Sequence, residues 1–336
     1  MTLSRAVLPP GSPHPASVPP TGSLPLAHLA CAASMLVWAA GLPAADRLIP
    51  HVPALTLSAA RMILAALALL PIWWLIEGRR AVTGAPWRTG VLIGAVNSFG
   101  AFGLILGQAR SDAVTVAIVS AAMPIIGMGI EVVFDGRKIT PALLIGMALS
   151  LAGGGIALDL GITGSTADVG TGAIASTGSS LIGAGLCLAS VVIFTFGSRL
   201  TVTAFPDMTP LGRTSITLGG GALTSAAMVV LAVLFGLPAP DWTALGPPEA
   251  GALMVYALAG LALSQLLWIV SVGRLGIGLA SLHINAAPFY VMLILFAMGG
   301  PWLWHQVFGA GLVVLGVVVA QGMFLPRALR SHRLRG

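Results

Sequence analysis

Long apolar stretches alternate with short polar turns along almost the whole chain. Ten such stretches lie near residues 26–45, 55–76, 89–108, 113–134, 140–159, 180–200, 209–236, 250–271, 276–298 and 302–324. A helix rises about 1.5 Å per residue, so roughly 20 residues cross the ~30 Å apolar core of a bilayer. The stretches do not alternate with period two, which excludes transmembrane β-strands. The pattern predicts an all-α integral membrane protein with ten transmembrane helices.

Composition excludes an ordinary soluble domain. Of the 336 residues, 57% are hydrophobic and only 8% are charged, whereas a soluble domain carries about 25% charged residues. The net charge of +6 would suit a nucleic-acid partner if the basic residues formed one surface. Most of them fall instead near the ends of the apolar stretches and in the tails, with Arg61 and Arg213 inside stretches, so no nucleic-acid partner is expected.

The distribution of basic residues predicts the orientation in the membrane, because cytoplasmic loops are enriched in Lys and Arg. With a cytoplasmic N-terminus, only Arg47 and Arg110 lie outside. The inner side then collects twelve: Arg5, Arg79, Arg80, Arg88, Arg137, Lys138, Arg199, Arg274, Arg327, Arg330, Arg333 and Arg335. We therefore expect a multi-pass protein of the bacterial inner membrane with both termini in the cytoplasm.

Three polar segments divide the chain. Residues 1–25 contain seven prolines and predict a disordered cytoplasmic tail. Residues 160–179, rich in Gly, Ser, Thr and Ala, predict a flexible periplasmic linker, and residues 326–336 predict a basic cytoplasmic tail. The helices fall into a first repeat, 26–159, and a second repeat, 180–325.

The two halves match in sequence when one is shifted onto the other. The matched pairs are Cys31 and Cys187, Ser34 and Ser190, and Gly41 and Gly197 at a shift of 156; Arg110 and Arg274, and Pro124 and Pro288 at 164; Gly146 and Gly309, and Gly153 and Gly316 at 163; and Arg61 and Arg213 at 152. Each half holds five predicted helices, an odd number, so the second half must enter the membrane from the opposite side. Inverted repeats of this kind are typical of secondary transporters.

Several short motifs are spread over both halves of the chain. They are Trp38 and Gly41, Arg61-Met62, Pro124, Gly146 to Gly153, Leu266-Leu267-Trp268, Gly273-Arg274-Leu275-Gly276, Ala280-Ser281-Leu282, Pro288 and Gln306 to Gly309. Together they resemble the EamA-type branch of the drug/metabolite transporter superfamily. The resemblance implies a ten-helix carrier of small organic metabolites, often directed outward. It departs from the family at Ala287, where an acidic residue is usual, and at Gly136-Arg137 and Gly300-Pro301, where Gly-Glu pairs are usual.

Polar and aromatic side chains interrupt stripes of small residues on several predicted helices. Because an unpaired polar group is costly in lipid, we expect these side chains to line a substrate cavity: Trp38, Asn97, Gln265, Trp268, His283, Asn285 and Tyr290. The alternative for the small residues themselves is close helix packing.

Three titratable residues are candidate proton or charge partners. His283 has an imidazole, which can exchange a proton near neutral pH, or it forms an interhelical hydrogen bond. Arg61 is a candidate counter-charge for a substrate carboxylate, or an interfacial anchor. Glu131 is a third candidate, or it pairs with the turn at Arg137 and Lys138.

Matching prolines occur in the fourth and ninth predicted helices. Pro124 and Pro288 each lack a backbone N–H and permit a kink. We expect them to serve as paired hinges in alternating access.

No catalytic, metal or nucleotide motif is present, so we expect no enzyme activity, no cofactor and no bound metal. The predicted function is secondary-active transport, with export favoured, of a small polar metabolite such as an amino acid. A non-transporting membrane scaffold or sensor subunit, and a lipid-precursor flippase, are the alternatives. The expected partners are the small-molecule substrate and the lipid bilayer, with a homodimer left open.

Overall fold

The computed structural model describes residues 24–135, 141–157, 177–236, 242 and 245–320, and these contain helices and no strand. The α-helices are α1 (Leu24–Leu48), α2 (Ala54–Thr83), α3 (Trp87–Gln108), α4 (Ala113–Ser120), α5 (Met123–Asp135), α6 (Pro141–Ala157), α7 (Thr177–Ala204), α8 (Pro210–Leu234), α9 (Pro247–Met254), α10 (Ser264–Ser281), α11 (Ala287–Ala297) and α12 (Trp304–Ala320). A π-helical segment, Val255–Leu263, joins α9 to α10, and a 3₁₀ segment, Leu282–Ala286, joins α10 to α11.

Most of the predicted tails and linker lies outside the described residues, as do Arg137 and Lys138. The exceptions are short: α1 begins at Leu24, inside the predicted N-terminal tail, and α7 begins at Thr177, inside the predicted linker.

Within the described residues, six helical stretches are long and apolar enough to cross a membrane. They are Pro25–Leu48, Ala54–Thr83, Trp87–Gln108, Leu181–Ala204, Pro210–Leu234 and Pro247–Val272. Four shorter apolar helices, Ala113–Gly127, Leu144–Ala157, His283–Ala297 and Trp304–Gly316, overlap the remaining predicted stretches. The chain is thus an all-helical, multi-pass membrane protein, and the arrangement of ten spans stays a prediction.

Polar residues fix where two of the helices begin. Asp112 precedes α4, and its Oδ1 accepts a hydrogen bond from the Thr115 backbone N–H at 2.8 Å. Thr209 precedes α8 and accepts from the Gly212 N–H at 3.0 Å, with Pro210 in the first turn. Such side chains satisfy N–H groups that have no partner inside the helix.

The second helix runs further than the apolar pattern predicts, and a glycine kinks it near the end of the apolar part. Gly78 has φ +84° and ψ 168°, a backbone conformation that glycine adopts at little cost. The apolar part ends there, and a last polar turn continues to Thr83.

The fourth and ninth predicted stretches are broken at equivalent places. In the first half α4 ends at Ser120 and α5 begins at Met123, with Pro124 second in the new helix. In the second half the 3₁₀ segment precedes α11, where Pro288 is again second. A proline cannot donate into the preceding turn and clashes with it, so each break lies immediately before its proline.

Close helix pairs meet at glycines. A Cβ added at Gly153 of α6 would lie 2.7 Å from the carbonyl oxygen of Gly309 of α12. A Cβ at Gly41 of α1 would lie 3.1 Å from the Cα of Gly260 in the π segment. Small residues let backbones approach in a membrane, where helix association depends on packing and not on the hydrophobic effect.

The outer surface is apolar, as contact with lipid requires. Leu75, Leu92 and Leu234 are all at least 70% exposed. Around the α11–α12 turn, Trp302 packs edge-on against Trp304 with ring centroids 6.0 Å apart. Exposed tryptophans of this kind are typical of membrane–water interfaces.

Candidate functional site

A cavity lies where the two halves of the chain meet. It holds about 960 Å³ of space between atoms, including its solvent-open part. Its wall is formed by α1 to α5, α7, α8, α10 and the π and 3₁₀ segments, and each half contributes eleven of the described lining residues.

The structure brings together five of the residues singled out from the sequence. Trp38 of α1, Arg61 of α2, Asn97 of α3, and Gln265 and Trp268 of α10 all line the cavity. They come from four helices in two halves, which no local sequence pattern places side by side.

The other three candidate cavity residues lie outside the lining. His283 stacks on His28 of α1, with ring centroids 5.2 Å apart and Nε2 3.3 Å from the His28 Nδ1. Asn285 is buried, and Tyr290 packs against the apolar core. Ile284, between the two polar residues, faces the cavity instead. His283 and Asn285 lie in the 3₁₀ segment, which has about 3.0 residues per turn, so its side chains point in other directions than those of an α-helix.

Glu131 lies in α5, and its side chain is outside the described part of the structure, as is the Arg137–Lys138 turn. Among the described residues no group of three or more His, Cys, Asp or Glu side chains is placed to hold a metal ion.

Arg61 is buried at 4% exposure, two turns into α2. Its Nη2 donates to the Gly260 carbonyl oxygen at 2.7 Å, and its Nη1 donates to the Tyr256 hydroxyl at 3.2 Å. The guanidinium carbon lies 4.2 Å from the centroid of the Tyr256 ring, a cation–π contact. Both partners belong to the π-helical segment, and π-helical turns occur often at functional sites.

Tyr256 is the partner of Arg61 that sequence analysis missed. It is fully buried and fixes the guanidinium of Arg61 through both its ring and its hydroxyl. The available signal was its rarity: the chain has two tyrosines, and a buried phenol needs a hydrogen-bond partner. The partner, 195 residues away, is not readable from the sequence.

Three polar atoms of the cavity-lining side chains have no hydrogen-bond partner among the described residues. They are the Nε of Arg61, the Oδ1 of Asn97 and the Nε1 of Trp268. A buried polar group without a partner costs about 1–3 kcal/mol, so this cavity is suited to a solute with complementary groups.

A second buried polar cluster lies at the far end of α1, away from the cavity lining. Asp46 Oδ1 accepts from Gln108 Nε2 at 2.8 Å, and Asp46 Oδ2 accepts from the Ala113 N–H at 3.2 Å. The Gln108 amide also donates to the Leu42 carbonyl oxygen at 2.8 Å. This cluster joins α1, α3 and the start of α4.

Comparison with known proteins gives three likenesses. Residues 25–158 match the model of the EamA-like transporter family. The chain is 32% identical over 121 residues to the "Uncharacterized transporter YyaM" of Bacillus subtilis (strain 168), covering 35% of this chain and 37% of that protein. A crystal structure of a protein with 19% sequence identity superimposes with a TM-score of 0.63, covering 89% of this chain and 98% of the other.

The three likenesses support different conclusions. The crystal structure supports the fold alone, because its sequence identity is 19%. The curated relative is matched over little more than a third of its length, so its activity cannot be transferred to this whole chain. The family match and the relative agree with the resemblance seen in the sequence motifs: residues 25–158 are similar to the EamA-like transporter family.

Proposed function

We propose that this protein is a secondary-active transporter of the bacterial inner membrane. It moves a small polar metabolite, such as an amino acid, outward by alternating access. The observation that carries the proposal is the cavity between the halves, lined by Arg61, Asn97 and Trp268, each of which has a buried polar atom with no partner among the described residues. Homology to a transporter family supports a membrane transporter in general terms and favours a non-enzymatic role.

The packing of α6 on α12 supports a two-fold relation between the halves. Gly153 approaches Gly309, and Gly316 approaches Gly146, whose carbonyl oxygen would lie 2.6 Å from an added Cβ. At the shift of 163 read from the sequence, these two contacts are copies of each other, as two-fold symmetry requires. Residue numbers rise along one helix as they fall along the other, so the pair is antiparallel. An axis in the membrane plane produces that arrangement, and it is the axis of inverted repeats.

A second reciprocal contact supports the same relation. Gly41 meets Gly260, and at the equivalent positions Gly197 meets the Oδ1 of Asn97. Gly260 is therefore the counterpart of Asn97, at the shift of 163. Asn97 carries a polar side chain at this crossing and lines the cavity, whereas Gly260 has no side chain. The two halves therefore differ where a solute would be recognised.

The breaks before Pro124 and Pro288 support the alternating-access part of the proposal. Discontinuous helices in inverted repeats are common near transporter binding sites. Ser120 and Met123 flank the first break, Ile284 lies in the second, and all three line the cavity. A bend at either proline would therefore move part of the cavity wall.

The two alternatives explain less of the structure. A non-transporting scaffold needs no cavity holding polar atoms without partners. A lipid-precursor flippase needs a basic headgroup pocket, whereas Arg61 is the one basic residue in the described lining.

Transport is tested by flux measurements in proteoliposomes against a panel of amino acids and related metabolites. Asn97→Ala is expected to reduce the flux, because Asn97 lines the cavity. Asn285→Ala is the matched control: the same residue type, buried but outside the lining, and it is expected to keep the flux. His283→Ala is measured alongside. Absence of flux for every panel member, or equal flux in wild type and Asn97→Ala, contradicts the proposal.

A further inference from the structure

The cavity contains a fixed positive charge without a carboxylate beside it. A guanidinium remains protonated in proteins, and the partners of Arg61 in the described structure are a phenol and a backbone carbonyl. Two acidic residues outside the lining have partners of their own: Asp46 with Gln108, and Glu249 with Arg47 at 3.0 Å. No acidic side chain is among the lining residues that the structure describes.

The guanidinium is oriented but not saturated. It has five N–H donors, of which Tyr256 and Gly260 take one each, and its Nε has no partner in the described part of the chain. Tyr256 and Gly260 hold the plane of the guanidinium in place, so less conformational entropy of Arg61 is lost when a solute binds. A planar fork of this kind matches the two oxygens of a carboxylate.

Most of the remaining wall is apolar. Met35, Met62, Phe194 and Leu261 line it together with the tryptophans, so the space suits a hydrocarbon side chain. Asn97 Oδ1 is a neutral acceptor and Trp268 Nε1 a neutral donor, and both atoms are buried. An ammonium group would therefore find no anionic partner among the described lining residues.

We propose that the cavity selects its solute by a carboxylate bound at Arg61 and an apolar body packed on the aromatic wall. The amino group contributes little. This inference rests on the proposed transport function and narrows the substrate class to amphipathic monocarboxylates, including 2-oxo and desamino acids as well as amino acids.

Four probes that share the leucine side chain separate the contributions of the carboxylate and the amino group to binding. L-Leucine, 4-methyl-2-oxopentanoate and 4-methylpentanoate share the carboxylate, whereas L-leucinamide keeps the amine and replaces the carboxylate by an amide. Binding to the purified full-length protein in nanodiscs is measured by titration calorimetry. The three carboxylates are expected to bind with similar affinity. Leucinamide is expected to bind at least about tenfold more weakly, because hydrogen bonds to a charged group are worth about 1.5–3 kcal/mol.

Variants assign the selectivity to one side chain. Arg61→Gln is expected to remove the preference for carboxylates over leucinamide, and Arg61→Lys to retain part of it. Arg213→Gln is the matched control: Arg213 is the counterpart of Arg61 in the second half, lies outside the lining and donates to the Pro206 carbonyl oxygen at 2.7 Å. Thermal unfolding without ligand checks that each variant is folded. The wild-type probe series tests the inference even if Arg61→Gln does not fold.

The outcomes separate this inference from the proposed function. Equal or tighter binding of leucinamide overturns carboxylate selection, as does binding of leucine without the two acids that lack the amine, or binding of none of the four. Flux of any other panel solute would leave the transport proposal standing in those cases. Absence of flux for every solute, with selective carboxylate binding intact, would overturn transport and leave the recognition site.

Discussion

Two adjacent glycines of α6 meet different surroundings, which makes them a sensitive test of the α6–α12 packing. A Cβ at Gly153 would lie 2.7 Å from both the Gly309 carbonyl oxygen and the Val313 backbone nitrogen. A Cβ at Gly154 would meet nothing within 4 Å. Both positions are helical, so Gly→Ala gives the same gain in helix propensity, about 1 kcal/mol.

The two substitutions therefore differ mainly in the clash. The neighbours of Gly153 are backbone atoms, which cannot rotate away, so the helices must separate by roughly 0.5–1 Å to restore van der Waals contact. Overpacking of this kind costs about 1–3 kcal/mol. We expect Gly153→Ala to be less stable than Gly154→Ala by about 1–3 kcal/mol, because the propensity gain cancels in the comparison.

The assay is reversible unfolding in mixed detergent micelles, followed by circular dichroism, with the free energy of unfolding compared between the variants. The second half provides a repeat of the test. Gly316 approaches the Gly146 carbonyl oxygen, whereas a Cβ at Gly311 would meet nothing within 4 Å, so Gly316→Ala should lose stability relative to Gly311→Ala. Equal stability within either pair would refute the close packing of α6 and α12.

Two further substitutions test single contacts. Tyr256→Phe keeps the ring over Arg61 but removes a hydrogen bond to a charged group, so the KM for carboxylates should rise about tenfold. Tyr290→Phe is the control. Equal KM values in the two variants would contradict the role of Tyr256 in positioning Arg61. Asp46→Asn alters a partly buried side chain whose two oxygens accept hydrogen bonds and should lower the free energy of unfolding by about 1–3 kcal/mol. Asp207 is exposed, so Asp207→Asn should leave the free energy of unfolding unchanged. Equal effects of the two substitutions on unfolding would contradict a structural role of the Asp46 cluster.

The helical stretches were predictable because the membrane imposes a simple rule. A segment must be long and apolar and must satisfy its own backbone hydrogen bonds. Each long candidate span of the described structure overlaps one predicted stretch. The breaks before Pro124 and Pro288 also follow from local chemistry, because proline cannot continue the preceding turn.

The arrangement of the site was less predictable, because it depends on contacts between distant residues. Arg61 was recognisable as a buried charge, but its partners Tyr256 and Gly260 lie 195 and 199 residues away. His283 and Asn285 lie in a 3₁₀ segment and outside the cavity lining, and a change from 3.6 to about 3.0 residues per turn rotates successive side chains. Local periodicity does not reveal such a change.

Opposite threading of the two halves is tested most directly at His51 and Asp207. These residues occupy equivalent turns, between α1 and α2 and between α7 and α8, at the shift of 156, and both are exposed. Single His51→Cys and Asp207→Cys variants are treated with a membrane-impermeant thiol reagent in intact cells and after permeabilisation. The unmodified chain serves as background, because Cys31 and Cys187 are buried. Inverted repeats predict labelling of His51→Cys in intact cells and of Asp207→Cys only after permeabilisation, whereas labelling of both from the same face would contradict the account.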